Sequence, residues 1–180
     1  RARPRVKVLA AARPSDRTYD DPERVRRELA HVLGQRKLFQ RFVPGLMHAF
    51  IFWGFLVLFP TIFEAALSIA DPGRTLPWLG TAPWFITLVD VFATLVIVGV
   101  TIAFAIRKVQ RPDRFRGSHA READLILLWI FGIVATLLLW NASQIALGGF
   151  PHPSSAPVAN ALSGPVPASE GFERVMVWGH

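Results

Sequence analysis

The sequence has no cysteine, and only 18% of its 180 residues are charged. Without cysteine, the chain itself has no disulfide, no thiolate metal site and no iron–sulfur ligation. The 52% of hydrophobic residues and the mean hydropathy of +0.35 exceed what a water-soluble domain of this length needs for its core. The apolar residues form three long blocks and do not follow a strand or helix period, which indicates membrane-spanning segments.

The three apolar blocks predict spanning helices, since about 20 residues cross a hydrocarbon layer of about 30 Å. We place these helices at residues 43–66, 84–106 and 125–147, and we expect a fourth to begin near Phe172. Pro60 is expected to kink the outer third of the first span. The predicted fold class is all-α, a transmembrane helical bundle with three full spans and the start of a fourth.

Residues 1–41 are predicted to form a basic cytoplasmic connector, separate from a transmembrane bundle at 42–180. Within it, residues 21–41 predict an amphipathic surface helix, because Asp21 followed by Pro22 is a good helix start and apolar residues recur at helical spacing. Residues 150–171, rich in Pro, Ser, Ala and Gly, predict a long irregular loop or a partly re-entrant cover. Because residue 1 is Arg and an apolar helix starts near residue 180, we expect a fragment of a larger chain, with no recognisable signal peptide.

The positive charge is concentrated in two segments. Residues 1–41 hold 12 Lys or Arg and residues 107–124 hold six, whereas Arg74 stands alone between the first two spans. By the positive-inside rule both basic segments are predicted to be cytoplasmic, which makes the chain a multi-pass protein of the cytoplasmic membrane. Anionic lipid or a peripheral acidic subunit would explain the cations, and no nucleic-acid partner is expected.

His48 is the only titratable side chain between Arg41 and Glu64, and it lies roughly 7 Å inside the inner edge of the first span. An imidazole at this depth serves as a heme or metal ligand, a proton relay, or a hydrogen-bonded strut between helices. Gly45 leaves space for a flat macrocycle, and Phe52 and Phe55 supply an aromatic wall on the same face. This pattern favours a heme, although Phe and Gly are also ordinary residues of membrane helices.

His180 is predicted to lie on the outer half of the fourth helix. It would be about 10 Å from His48 along the membrane normal, so the two are poor candidates for the same iron. The other three histidines, His31, His119 and His152, are predicted to be solvated or to form surface hydrogen bonds.

A polar group is expected at the outer end of the bundle, comprising Glu64, Asp90, Asn141, Ser143 and Gln144. These side chains could bind a quinone carbonyl and accept its protons. The alternative is structural, in which Glu64 caps the interface and Asp90 bonds to Asn141 or Gln144. No catalytic residue is identified.

The stretches PGLMHAFIFWGFLVL, residues 44–58, and VMVWGH, residues 175–180, carry a resemblance to a known family. From about residue 36 onward the sequence resembles the membrane domain of bacterial heterodisulfide-reductase-related iron–sulfur oxidoreductases and, less closely, the gamma subunit of respiratory nitrate reductase. In that subunit two b hemes stack across the bilayer. The resemblance implies His48 as a ligand of the inner heme iron and His180 as a ligand of the outer one.

The resemblance also implies a partner for His48 about five turns beyond His180, and a further span before residue 1. Position 58, where the partner of the outer heme is expected, is Leu. The sequence therefore favours one b-type heme, with a second only if His180 finds another partner.

The favoured hypothesis is a b-type cytochrome domain that transfers electrons between the quinone pool and a cytoplasmic iron–sulfur or flavin oxidoreductase. Iron–sulfur clusters would lie only in that partner or in another domain, and the chain would be the electron-transfer part of an oxidoreductase. Two alternatives stay open: an ion or proton transporter subunit that uses Glu64 and Asp90, and a cofactor-free membrane anchor.

Overall fold

The computed structural model describes residues 21–33, 38–71, 74–110 and 120–180. The chain divides into two units, Arg1–Lys37 and Leu38–His180. The first unit contains helix α1, Asp21–Val32, with Glu23 and Arg27 paired at 3.4 Å on successive turns. The structure confirms a helix here, and its apolar residues Val25, Leu29 and Val32, which recur at helical spacing, are exposed. The predicted extension to residue 41 is wrong, because Leu38–Gln40 is a separate 3-10 turn; residues 34–37 lie outside the described part.

Three long helices dominate the second unit. They are α2, Phe42–Ala70; α3, Pro83–Ala105, continued by a π-helical turn at Ile106–Gln110; and α4, Ala120–Ala146. All three are long and apolar enough to cross a membrane, and no strand occurs in the described ranges. The all-α prediction with three spans is therefore confirmed.

The helix boundaries differ from the predicted ones by a few residues. Helix α2 continues past residue 66 to Ala70, and α4 begins at Ala120 instead of residue 125. Pro60 lies inside α2, and the helical assignment continues through it. Membrane helices tolerate an interior proline because the backbone can adjust locally around the missing donor.

Helix α3 lies at the centre of the core of this unit. Its residues Ala93, Val96 and Val100 are almost completely buried, and they pack with side chains of α2 and α4. Two glycines allow α2 and α3 to approach closely: a Cβ at Gly54 would collide with the Val96 side chain, and one at Gly99 would lie 3.1 Å from the carbonyl oxygen of Met47. Small residues at a crossing are a common means of packing membrane helices.

The segment after α4 contains two further helices, α5, Pro157–Ser163, and α6, Glu170–Gly179. A 3-10 turn at Pro153–Ser155 precedes α5. Helix α5 was not expected within the predicted irregular loop. Helix α6 begins two residues before the expected Phe172, and the Ser169 hydroxyl oxygen accepts the Phe172 backbone N–H at its start.

We call the end of the second unit where α3 ends and α4 begins the basic end, since it carries Arg107, Lys108 and Arg121. The opposite end, where α2 ends and α3 begins, is called the loop end.

Candidate functional site

His48 lies in the basic-end third of α2 and is exposed. Its imidazole has no hydrogen-bond partner among the described residues. The space expected at Gly45 is taken by the chain itself, because a Cβ there would lie 2.5 Å from the carbonyl oxygen of Leu38. Gly45 thus lets α2 pack against the Leu38–Gln40 turn, and its role beside a cofactor stays a prediction.

His180 directly follows α6 and links it to both α2 and α4. Its Nε2 lies 2.9 Å from the hydroxyl oxygen of Thr61 on α2, and its Nδ1 lies 3.2 Å from the carbonyl oxygen of Ile133 on α4. Thr61 is 2% exposed, and its hydroxyl is also 2.7 Å from the carbonyl oxygen of Leu58. The Trp140 ring lies beside the imidazole, with 6.3 Å between the ring centroids. Both ring nitrogens of His180 therefore face oxygen atoms of the protein.

An apolar cavity of 240 Å³ lies on one side of His180. Among the described residues that line it, the imidazole is the one polar side chain; the others are Ile51, Phe55, Leu58, Phe59, Ile62, Val96, Ile130, Ile133 and Val134. Phe55, Phe59 and Ile62 are about half exposed. The cavity thus adjoins the exposed face of α2, the face that a membrane's hydrocarbon would cover.

A smaller polar cavity of 80 Å³ lies towards the loop end. Its polar lining comprises Thr61, Glu64, Ser68, Arg74, Thr75, Asn141 and Gln144. Thr61 lines this cavity and His180 lines the apolar one, so their hydrogen bond joins the walls of the two cavities. Arg74 is two-thirds exposed, so the polar cavity reaches the surface of the loop.

Glu64, Asn141 and Gln144, predicted to lie near each other, all line the polar cavity. The Glu64 carboxylate accepts the backbone N–H of Leu76 in the loop between α2 and α3. Gln144 donates from Nε2 to Glu173 on α6 at 3.2 Å. Sequence reasoning missed Thr61, whose single hydroxyl in an apolar helix gives no distinguishing signal.

Asp90 belongs to a different arrangement and is not part of the polar cavity lining. Its side chain is completely buried, and its two oxygens accept the backbone N–H groups of Val158 at 2.8 Å and Ala159 at 3.0 Å. The carboxylate therefore holds the start of α5. In the structural alternative, Asn141 or Gln144 was the predicted hydrogen-bond partner of Asp90. The structure instead pairs Asp90 with backbone amides of α5, a helix that was not predicted from the sequence.

The remaining histidines and Ser143 have local surroundings. His31 and His152 are exposed, with His31 Nδ1 2.7 Å from the Arg27 carbonyl oxygen, and His119 lies outside the described residues. Ser143 is buried and donates to the carbonyl oxygen of Trp140 in its own helix. Within the described ranges, no group of three or more His, Asp or Glu side chains could hold a metal ion.

Two curated proteins are similar to this chain. A probable iron–sulfur-binding oxidoreductase of Bacillus subtilis, FadF, is 26% identical over 141 residues, which cover 78% of this chain and 20% of that protein. The EtfAB:quinone oxidoreductase of Syntrophomonas wolfei is 33% identical over 114 residues, which cover 62% of this chain and 15% of that protein. The expected resemblance to iron–sulfur oxidoreductases is confirmed at this level.

The chain spans a fifth or less of the length of these relatives. No family model matches it. No solved structure matches it either.

Proposed function

We propose that this chain is the membrane-embedded electron-transfer part of an iron–sulfur oxidoreductase that exchanges electrons with quinone. Three helices able to span a membrane and the similarity to two iron–sulfur oxidoreductases support this proposal. The name of one relative includes quinone as a reactant. Because the chain has no cysteine, the clusters would lie in another domain or in a cytoplasmic partner, docked at the basic end.

The observation that carries the proposal is the exposed His48 imidazole on an apolar helix, without a hydrogen-bond partner in the described part of the chain. Placing an ionisable group within a membrane span costs free energy, and such groups usually mark a functional site. His48 would hold a b-type heme through this imidazole, and Phe52 and Phe55 follow on the same face. The heme would supply a one-electron carrier between quinone and the clusters.

A second heme does not fit at His180. The side of the imidazole that would face iron is taken by Thr61, which is buried and also bonded to the Leu58 carbonyl oxygen. Nδ1 contacts the backbone carbonyl oxygen of Ile133. Histidines that bind a metal often make such a hydrogen bond, but a histidine without a metal can make it as well. We therefore propose one heme, held by His48, and we do not propose for this chain the pair of hemes that the resemblance to the nitrate reductase gamma subunit implies.

Glu64, Asn141 and Gln144 are better suited to a proton route than to holding a quinone ring. Their cavity of 80 Å³ has room for a few water molecules, since one water occupies about 30 Å³ in the liquid. Such a hydrated cavity would connect the loop end to Thr61. Asp90 is not assigned to this route, because backbone amides occupy both of its oxygens.

The transporter alternative requires Glu64 and Asp90 to bind ions. Both carboxylates accept backbone N–H groups, and only Glu64 lines the polar cavity. The contacts of Asp90 favour a structural role, and Glu64 alone does not make the two-carboxylate site that this alternative needs, so we do not adopt the transporter function. The anchor alternative is tested directly by replacing His48.

Replacing His48 by Ala in the full-length protein tests the proposed function. We expect the purified variant to lose the b-type heme absorbance and the quinone-dependent reduction of its iron–sulfur clusters, because the imidazole that would hold the heme is removed. His152→Ala is the matched control, since His152 is an exposed histidine of a loop-end segment. An unchanged heme spectrum in the His48 variant would exclude the assignment, and unchanged electron transfer would support the anchor alternative.

A further inference from the structure

One buried side-chain nitrogen in the described part of the chain has no hydrogen-bond partner, the indole Nε1 of Trp140 on α4. The Trp140 side chain is only 4% exposed, so solution outside the protein does not supply that partner. An indole N–H can only donate, and a buried donor that stays unpaired costs about 1–3 kcal/mol. The Trp140 N–H therefore requires an acceptor other than the described groups of the protein.

Trp140 lines the polar cavity and is absent from the described lining of the apolar one. Leu137, Trp140, Asn141 and Gln144 recur at helical spacing, so one face of α4 forms a wall of the polar cavity. The other described lining residues belong to α2, to α3, to the loop between them and to the segment after α4. None belongs to α6, so the three long helices and their connections form this cavity.

Water fits the polar cavity and supplies the missing acceptor. A buried water makes about two to four hydrogen bonds and requires a polar site with room for it. The cavity of 80 Å³ meets this requirement, and it also exposes the Asn141 amide, which no described residue hydrogen-bonds. The Glu64 carboxylate and the Thr61 hydroxyl line the same space. Water on the Trp140 N–H would therefore find further partners on both α2 and α4.

Glu64 lies where the polar cavity meets the loop between α2 and α3. Its carboxylate accepts the backbone N–H of Leu76, and a Cβ at Gly80 would collide with Glu64 Oε1. Arg74 lines the cavity from the same loop, is two-thirds exposed, and lies 3.7 Å from the exposed Asp71 carboxylate. The Glu64 carboxylate is therefore held between the interior of the cavity and the surface of the loop end.

The proposed exchange of electrons with quinone also moves protons. Reduction of a quinone to a quinol takes up two electrons and two protons, and oxidation of the quinol releases both. Heme and iron–sulfur clusters carry the electrons, so the protons need a separate route. Ionisable side chains within membrane spans commonly form such relays, and a carboxylate can take up and release a proton.

We propose that the polar cavity holds water anchored on the Trp140 Nε1–H group, and that Glu64 exchanges protons between this water and the solution at the loop end. This inference rests on the proposed exchange of electrons with quinone and names the groups that carry the accompanying protons. Glu64 is the group that takes up and releases a proton. Trp140 is a positioning residue, since its N–H holds the water.

The first measurement tests the hydrogen bond of Trp140 in the full-length protein in lipid nanodiscs. Trp140 is replaced by benzothienylalanine, which has the shape of tryptophan but a sulfur atom in place of N–H, so the packing is kept. The ultraviolet resonance Raman spectrum of the wild type minus that of the variant shows the Trp140 indole alone. We expect the bands of a hydrogen-bonded N–H that exchanges in D₂O. Bands of a free N–H would show a dry cavity and overturn the inference.

The second measurement tests the proton carried by Glu64. Glu64→Gln keeps the size of the side chain and an acceptor for the Leu76 N–H, but its amide carries no exchangeable acidic proton. Turnover with quinone should fall at least about tenfold, with the KM for quinone and the cofactor absorbance unchanged, because a positioned acid or base contributes about 10²–10⁴ to a rate. Formate, a small acid that fits the cavity, should restore part of the turnover. Glu170→Gln is the matched control, since Glu170 is exposed at the start of α6 and pairs with Arg174.

Each result has a definite consequence. If the wild-type protein exchanges no electrons with quinone, both the proposed function and this inference are wrong. If it does, but Glu64→Gln turns over at the wild-type rate, only this inference is wrong. If Glu64→Gln instead raises the KM for quinone at unchanged turnover, Glu64 contacts the quinone itself and the inference is overturned.

Discussion

At the residue scale, Gly54 and Gly132 show that the same residue type has opposite surroundings in two spanning helices. A Cβ at Gly54 would collide with the side chain of Val96, whereas a Cβ at Gly132 would have nothing within 4 Å among the described residues. Gly54 is buried between α2 and α3, and Gly132 is exposed on α4. Only the first glycine is required by packing between helices.

This difference predicts opposite effects of one methyl group. Gly54→Ala should lower the free energy of unfolding by about 1–3 kcal/mol, because Val96 and its neighbours must shift. Gly132→Ala should leave it unchanged or raise it by up to about 1 kcal/mol, since alanine is the better helix former. Thermal or denaturant unfolding in one detergent would compare them, and equal stability of both variants would show that α2 and α3 do not approach closely at Gly54.

The histidines show how much of the candidate site the sequence could predict. An imidazole within an apolar run is visible in the sequence, so the sequence alone locates the helix of His48 and marks this residue as a candidate ligand. The partners of His180 were not predictable, because Thr61 and Ile133 lie far from it along the chain. Their contact depends on how α2, α4 and α6 are rotated about their axes, which hydropathy alone does not define.

At the element scale, α5 depends on a buried carboxylate from another helix. Asp90 accepts the backbone N–H groups of Val158 and Ala159, and Ala156 and Ala159 pack against Ile86. The first turn of a helix has no intrahelical partners for its N–H groups, and α5 is only seven residues long. Asp90 thus stabilises an element that would be marginal alone.

Replacing Asp90 by Ala should therefore loosen α5 specifically. Each buried N–H left without a partner costs roughly 1–3 kcal/mol, so amide hydrogen exchange in residues 157–163 should become at least about tenfold faster. The exposed Asp71, which pairs with Arg74 at 3.7 Å, provides the control Asp71→Ala. Exchange that is equally slow in both variants would contradict the anchoring role of Asp90.

The prediction of the elements succeeded where length and hydropathy decide the outcome. The three spans satisfy both criteria, so the sequence located them to within a few residues. Helix α5 was not predicted because proline, here Pro157, usually interrupts a helix, although proline suits the first turn of one. Its anchor, Asp90, lies 68 and 69 residues before the two backbone amides that it accepts, and no local pattern reveals such a contact.

At the scale of the whole molecule, the cations and the apolar length of the helices together predict an orientation in the membrane. Arg107 and Lys108 at the end of α3 both contact the Asp124 carboxylate near the start of α4, with Arg107 Nε 2.7 Å from Oδ1. This ion cluster fastens the two helices at the basic end. The excess of Lys and Arg there predicts that the basic end faces the cytoplasm.

Two exposed residues at opposite ends of the second unit make this orientation testable. Trp78, in the loop between α2 and α3, is 93% exposed, and Val109, in the π-helical turn after α3, is 80% exposed. Each is replaced in turn by an azide-bearing phenylalanine and treated with a membrane-impermeant dye that reacts with azides. The residue at position 78 should be labelled in intact spheroplasts, and the residue at 109 only in inverted vesicles, because the hydrocarbon layer separates the two positions. Labelling of both from one side would refute α3 as a membrane span, whereas the reverse pattern would place the basic end outside and move the proposed docking of the iron–sulfur partner to the wrong compartment.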